Sequence, residues 1–149
     1  MATYSFKSAG KTQETSEEEK LVESPIPYGI KTPLSYEVNG LAMNYDLGQQ
    51  FSDNLRNLLQ TNWGERLGLY NFGANLRPLL FSSAGDFDTQ AIERIRSAVG
   101  KWMPFVELEE FSSTRNDSTS PNMVTVTVTY VIPAIDDKKR GVQIAIYAL

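Results

Sequence analysis

The chain contains no cysteine and no histidine. Without cysteine there are no disulfides, thiolate metal sites or thiol nucleophiles, which fits a reducing compartment. Without histidine, a Ser-His-Asp triad and a histidine-based zinc site are impossible. Excess positive charge is also lacking. The 18 acidic residues outnumber the 14 basic ones, giving a net charge of −4 and a pI near 4.9. Phosphate binding needs clustered Lys and Arg, so neither nucleic acid nor an anionic membrane is an expected partner. No apolar run approaches the roughly 20 residues of a membrane span. The start, Met1-Ala-Thr-Tyr-Ser-Phe-Lys7, lacks the basic-then-apolar order of a signal peptide. The expectation is a protein made and used in the cytoplasm, with no cofactor and no metal.

What is present fits one domain with a leading arm. The 149 residues suit a single core. Residues 1–45 read as an extended, partly disordered arm. Glu14–Glu23 is acidic, and Pro25, Pro27 and Pro33 disfavour helix. Within it, Tyr28-Gly-Ile-Lys-Thr-Pro-Leu34 carries an aromatic and aliphatics that want burial.

Residues 46–149 read as an α+β domain. A first helix is expected from Asp46 to Thr61, where Leu47, Phe51, Leu55, Leu58 and Leu59 form one stripe. Asp46 can cap it, and Asn62 or Gly64 can supply a left-handed stop. A short second helix is expected from Leu76 to Phe81, capped by Asn75, with Pro78 in its first turn. A third runs from Thr89 to Trp102, capped by Asp88 and stopped by Pro104, with Ile92, Ile95, Val99 and Trp102 inward.

The apolar period then changes to two. Phe105–Phe111 is a candidate strand and Ser112–Asn122 a loop. Met123–Ile132 alternates, with Val124, Val126, Val128, Tyr130 and Ile132 on one face. Pro133–Arg140 makes the return, and Val142, Ile144 and Ile146 alternate in a third strand. The expected fold is three helices on a small antiparallel three-stranded sheet.

Between the first two helices lies Asn57-Leu-Leu-Gln-Thr-Asn-Trp-Gly-Glu-Arg66, followed by Asn71-Phe-Gly-Ala-Asn-Leu-Arg-Pro-Leu-Leu-Phe81. This string resembles the signature of the contractile-tail baseplate wedge proteins, the phage sheath-initiating component and its type VI secretion counterpart, TssE. The likeness spans residues 29–149 in the family's order, from Gly29-Ile-Lys-Thr-Pro-Leu34 through Gly64-Glu65-Arg66 and Phe72-Gly73 to the strands. It implies docking on the helical wedge core through Gly64, Glu65, Arg66, Phe72, Gly73, Met103, Pro104 and Phe105. Where the family commonly carries Glu-Pro-Arg, this chain has Met103-Pro104-Phe105. The proline persists and both charges are gone. Two readings stay open: an apolar docking knob, or two side chains filling this protein's own core.

Part of the motif also has a purely structural explanation. Gly64 and Gly73 permit backbone conformations a Cβ would resist, Arg66 can pair with Glu65, and Phe72 can plug the core.

The family has carried a lysozyme-like label. Glycoside hydrolysis needs two carboxylates about 5 to 9.5 Å apart, one with a raised pKa. Asp88 reads as a cap, Glu93 as a solvated face and Asp86 as a turn residue. Only Glu65 lacks such an explanation, and adjacent Arg66 would lower its pKa, the wrong direction for a general acid. No catalytic residue is assigned. The resemblance instead implies a structural wedge subunit, with a baseplate-associated peptidoglycan hydrolase as the alternative. It further implies that the last strand, through Val142, Gln143, Ile144, Ala145, Ile146 and Tyr147, offers an edge to the tail sheath protein. Expected partners are other wedge proteins and the sheath, with tube or hub proteins as further candidates. The expected location is the virion's tail baseplate, assembled in the host cytoplasm. The Pro-rich arm tilts the reading towards a phage.

Overall fold

The apolar stripe of the first helix is the side that is buried in the computed structural model, which describes residues 26–38, 40–115 and 123–147. Helix α1 spans Leu47–Gln60, with Leu55, Leu58 and Leu59 fully inside. Asp46 caps it as expected: its carboxylate accepts the Gln49 amide at 2.8 Å. The helix does not stop on a left-handed residue. Thr61 turns extended at φ −81° and ψ 133°, and its hydroxyl donates to the Asn57 carbonyl at 2.6 Å. A side-chain O–H serves the last turn instead, and left-handed Gly64 (φ 86°) follows within the next loop.

The described residues hold two α-helices, not three. The expected second helix is a 3-10 helix, Arg77–Phe81. The Leu79 amide reaches the Leu76 carbonyl at 3.0 Å, the shorter bond that suits so brief a run. Asn75 is left-handed (φ 51°) and does not cap it; Leu76 stands at that position. Leu76 and Leu79 are buried and Leu80 partly so.

Helix α2 spans Ala84–Trp102 and starts well before Thr89, with Ser83 at its N-cap. Asp86 therefore lies in the first turn rather than in a free loop, and its carboxylate accepts the Ser83 hydroxyl at 2.5 Å. Asp88 is inside the helix and accepts the Ser113 hydroxyl from the sheet, so it is no cap. Ser83 makes no side-chain bond to the first-turn amides, so the helix starts early without a side-chain cap. Ala91, Ile95 and Val99 face the core. The Met103 amide closes on the Val99 carbonyl at 2.8 Å before Pro104 ends the helix.

Strands β5 (Glu107–Arg115), β6 (Met123–Ile132) and β7 (Asp136–Tyr147) form one antiparallel sheet in that order. The register sets Val128 against Phe111 on one side and Val126 against Ile144 on the other. Val124, Val126, Val128, Tyr130 and Ile132 lie on the buried face with Val142, Ile144 and Ile146. Helix α1 packs on β7, and α2 on β5. Two strands are longer than the sequence suggested. β5 runs on into the Ser-Thr stretch as far as Arg115, and the Asp136–Arg140 run belongs to β7. Polar residues sit comfortably there because they pair. Lys139 meets Glu109 at 2.7 Å, and Arg140 meets Asp136 at 2.6 Å. Residues 116–122 of the expected loop lie outside the described residues.

Ahead of α1, part of the expected arm is ordered into two short ladders. β1 (Gly29–Ile30) pairs with β4 (Met43–Asn44), and β2 (Tyr36–Glu37) pairs with β3 (Gly40–Leu41). Among the described residues the burial expected for Tyr28–Leu34 is not found: Tyr28, Ile30 and Leu34 are exposed. Residues 1–25, with the acidic stretch, lie outside the described residues. What ties the ladders to α1 is a carboxylate the sequence reading did not single out. Asp53 is fully buried. Its Oδ2 accepts the Thr32 amide at 3.0 Å and the Asn44 side-chain amide at 2.8 Å. Oδ1 accepts the Gln49 side-chain amide at 3.3 Å, and Arg56 stands 3.7 Å away. A buried carboxylate needs such a set of donors.

Candidate docking surfaces

The loop after α1 is built around Glu65. The Asn62 backbone amide donates to its Oε2 at 2.7 Å, and the Asn62 side-chain amide to its Oε1 at 2.9 Å. Arg77 stands 3.6 Å away, and its own backbone amide donates to Asn62 Oδ1 at 3.2 Å. The Asn62 amide, then its side chain, hold the Glu65 carboxyl below its ordinary range, with the Arg77 charge assisting. The sequence assigned that lowering to Arg66. Arg66 in fact lies over the Phe72 ring, 4.4 Å from its centroid. Phe72 in turn meets Trp102 edge-on at 5.2 Å.

Gly73 has a steric reason for being glycine. Its φ is 106°, and a Cβ there would lie 2.1 Å from the Thr61 carbonyl oxygen. Its own carbonyl accepts the Trp63 indole N–H at 3.1 Å. Gly64 is also left-handed and donates its amide to the Tyr70 carbonyl at 2.8 Å. Both glycines shape the loop, and neither lines the groove beside it.

That groove, about 680 Å³, gathers five of the residues singled out in the sequence: Glu65, Arg66, Phe72, Met103 and Phe105. Leu58 and Trp102 join them, residues the sequence marked only as helix stripes. Met103 and Phe105 do not form a paired surface knob. Met103 is only 6% exposed and belongs to the core. Phe105 is 39% exposed, with its ring 4.8 Å from that of Phe51. Pro104, itself exposed, turns the chain between them. Among the described residues Glu65 is the sole carboxylate lining the groove, and they bring no second acid beside it for glycoside hydrolysis.

The sheet has two edges of different character. β5 carries a register shift between Leu108 and Glu110 and the acids Glu107, Glu109 and Glu110, features that blunt an edge. β7 carries a register shift and a charged run of its own over Asp136–Arg140, but pairs with β6 without interruption from Arg140 to Tyr147. On its far side no other strand pairs with it among the described residues. Val142, Ile144 and Ile146 point into the core, Gln143 and Tyr147 are exposed, and Ala145 is half-buried. A cleft of about 350 Å³ opens beside its end, between Ala145, Tyr147, Leu59 and Leu76. The register shifts of the two ladders could not be read from the sequence, because they leave no residue signature.

The family profile of baseplate wedge protein gp25 matches residues 46–137. No curated protein matches the chain. Among the solved structures that share its fold are two. One is a candidate tail lysozyme from Geobacter sulfurreducens, 16% identical, with a TM-score of 0.60 over 70% of this chain and 93% of that one. The other is a chain of the anti-feeding prophage baseplate, 14% identical, with a TM-score of 0.53 over 80% of this chain and 84% of that one.

Proposed function

This chain belongs to the baseplate wedge protein gp25 family, and on that premise we propose that it is a structural subunit of a contractile-tail baseplate wedge. The helical side grips neighbouring wedge proteins through the groove around Phe72 and Phe105. The sheet side offers the outer edge of β7 to the first ring of the tail sheath. The subunit assembles in the host cytoplasm and ends in the tail of a phage or a phage-derived machine.

One observation carries this reading. Five of the eight residues of the family-like motif, Glu65, Arg66, Phe72, Met103 and Phe105, line a single surface groove. Side chains that served only the core would have no reason to meet at the surface. The uninterrupted Arg140–Tyr147 stretch of β7 supports the sheath half, since main-chain pairing tolerates side-chain differences between partners. The hydrolase alternative has less behind it. Glu65 is already hydrogen-bonded by Asn62, and its pKa is shifted away from that of a general acid.

The test is co-purification with the other wedge subunits of the same tail. Wild type should co-purify with them, and Phe105→Ala should not, although it remains folded. Undiminished association of Phe105→Ala would remove the groove from the account.

A further inference from the structure

The cleft beside the end of β7 lies on that strand's free side. Ile146 and Tyr147 pair with Val124 and Met123 of β6, yet among the described residues β6 contributes nothing to the cleft. Its walls come from the end of β7 itself, Ala145–Tyr147, and from Leu59 and Leu76. A strand added to the outer edge of β7 must therefore run past its mouth.

The period of a strand decides what enters. Directly opposed residues of paired strands point to the same face of a sheet. Ile146 points to the core and is 8% exposed, whereas Tyr147 is 55% exposed. The residue of an added strand opposite Ile146 thus points inward, towards Leu59 and Leu76. Its two neighbours point outward, beside Ala145 and Tyr147. The cleft measures about 350 Å³. A cavity of about 150 Å³ already takes a benzene ring, so a large side chain fits. The floor is apolar, and the polar rim is committed elsewhere. Asn62 donates twice to Glu65, and Arg77 stands 3.6 Å from the same carboxylate. Gln60, the other rim residue, is exposed and uncharged.

Main-chain pairing alone leaves an added strand free to slide. β7 is regular from Arg140 to Tyr147, and a slip of two residues keeps every side chain on its own face. A pocket at one end removes that freedom, because one register fills it and the others do not.

We infer that this cleft is a side-chain pocket that selects and registers the strand added to β7. It takes one large apolar side chain, the size of leucine or phenylalanine, from the residue opposite Ile146. The inference rests on the proposed sheath role of the β7 edge.

The probe is the purified sheath protein of the same tail, titrated against the full chain. Melting is recorded for every variant, and Tyr147→Pro replaces Ala145→Pro should the latter not fold. Gln60→Trp, which fills the cleft, should bind about tenfold more weakly or worse. Gln60→Glu should bind several-fold more weakly and Gln60→Leu a few-fold more tightly. Ala145→Pro should lose binding with the edge donor. Binding lost in the proline variant but unchanged across the Gln60 series would overturn the inference and leave the edge standing. Binding unchanged in the proline variant as well would remove the edge and this inference together. Tighter binding by Gln60→Glu than by Gln60→Leu would assign the cleft to a basic side chain and overturn the apolar pocket. Sedimentation of the chain alone completes the test: a dimer that Gln60→Trp dissolves would give the cleft to a second copy and overturn the inference.

Discussion

Replacing Asp53 with alanine should loosen the whole segment before α1. The carboxylate accepts the Thr32 amide at 3.0 Å, the Asn44 side chain at 2.8 Å and the Gln49 side chain at 3.3 Å. Gln49 is exposed and can turn to water. The Thr32 amide and Asn44 cannot do so without movement. Two stranded donors at about 1–3 kcal/mol each imply a loss of about 2–4 kcal/mol, once relaxation is allowed for. Arg56 adds little, because a third of its side chain already meets solvent. The cost has a ceiling. Once it exceeds the free energy holding the ladders on α1, they detach, and the rest of the protein keeps its core. Two readouts separate these regimes. Melting should fall by about 10 °C if the loss is global, at about 3 °C per kcal/mol for a domain of this size. Amide exchange at Thr32 and at Lys31, whose amide bonds to Ala42 at 2.9 Å, should accelerate in either case. Asp53→Asn keeps the volume but turns a donor towards Gln49 or Asn44, so it should fall between alanine and wild type. An alanine variant that melts within about 1 °C of wild type and keeps slow exchange at Thr32 would refute that role for Asp53.

Gly73→Ala forces a Cβ to 2.1 Å from the Thr61 carbonyl. It should cost about 2–4 kcal/mol in denaturant unfolding, and a variant as stable as wild type would contradict the loop geometry. Phe105→Ala should lose about 1 kcal/mol of stability with the Phe51 contact but about 2 kcal/mol or more of association with wedge subunits; a large stability loss with unchanged association would place Phe105 in the core. The Glu65 pKa is lowered by folding, so its contribution is full above the ordinary carboxylate pKa and fades as pH falls through the folded value. The gap in melting temperature between wild type and Glu65→Gln should therefore be steady near neutrality and close below about pH 4. Being exposed, it should be worth less than about 1 kcal/mol, and a gap that widens on acidification would contradict the assignment. Purified protein should leave peptidoglycan intact, and clearing that disappears in Glu65→Gln would establish the hydrolase instead.

The parts of the fold that the sequence made legible are those in which one residue pattern runs long. The alternation of β6 and the leucine stripe of α1 each repeat often enough to name the buried face. Short elements escaped, because a two-residue strand such as Gly29–Ile30 has no period to read. Competing local signals misplaced others. Asp88 suits a helix start by type, yet α2 begins earlier, with Ser83 at its N-cap and Asp88 inside the helix. The groove was half legible. Its motif residues could be named, but spacing could not tell that Met103 turns inward and Phe105 outward around Pro104. Nor could it show that Arg66 prefers the Phe72 face to its neighbour Glu65. Asp53 looked like one more polar residue on the solvent side of α1. Its burial is created by residues far away in sequence, Thr32 and Asn44.

The sheath contact is where the account is most exposed. A proline at Ala145 or Tyr147 removes a main-chain donor and bends β7 near its open edge, beside the cleft lined by Leu59 and Leu76. The measurement is electron microscopy of tails made with each variant, after melting has shown that the variant folds. Assembled baseplates carrying tubes without sheath are the predicted result. Full-length sheathed tails built on a folded proline variant would contradict it.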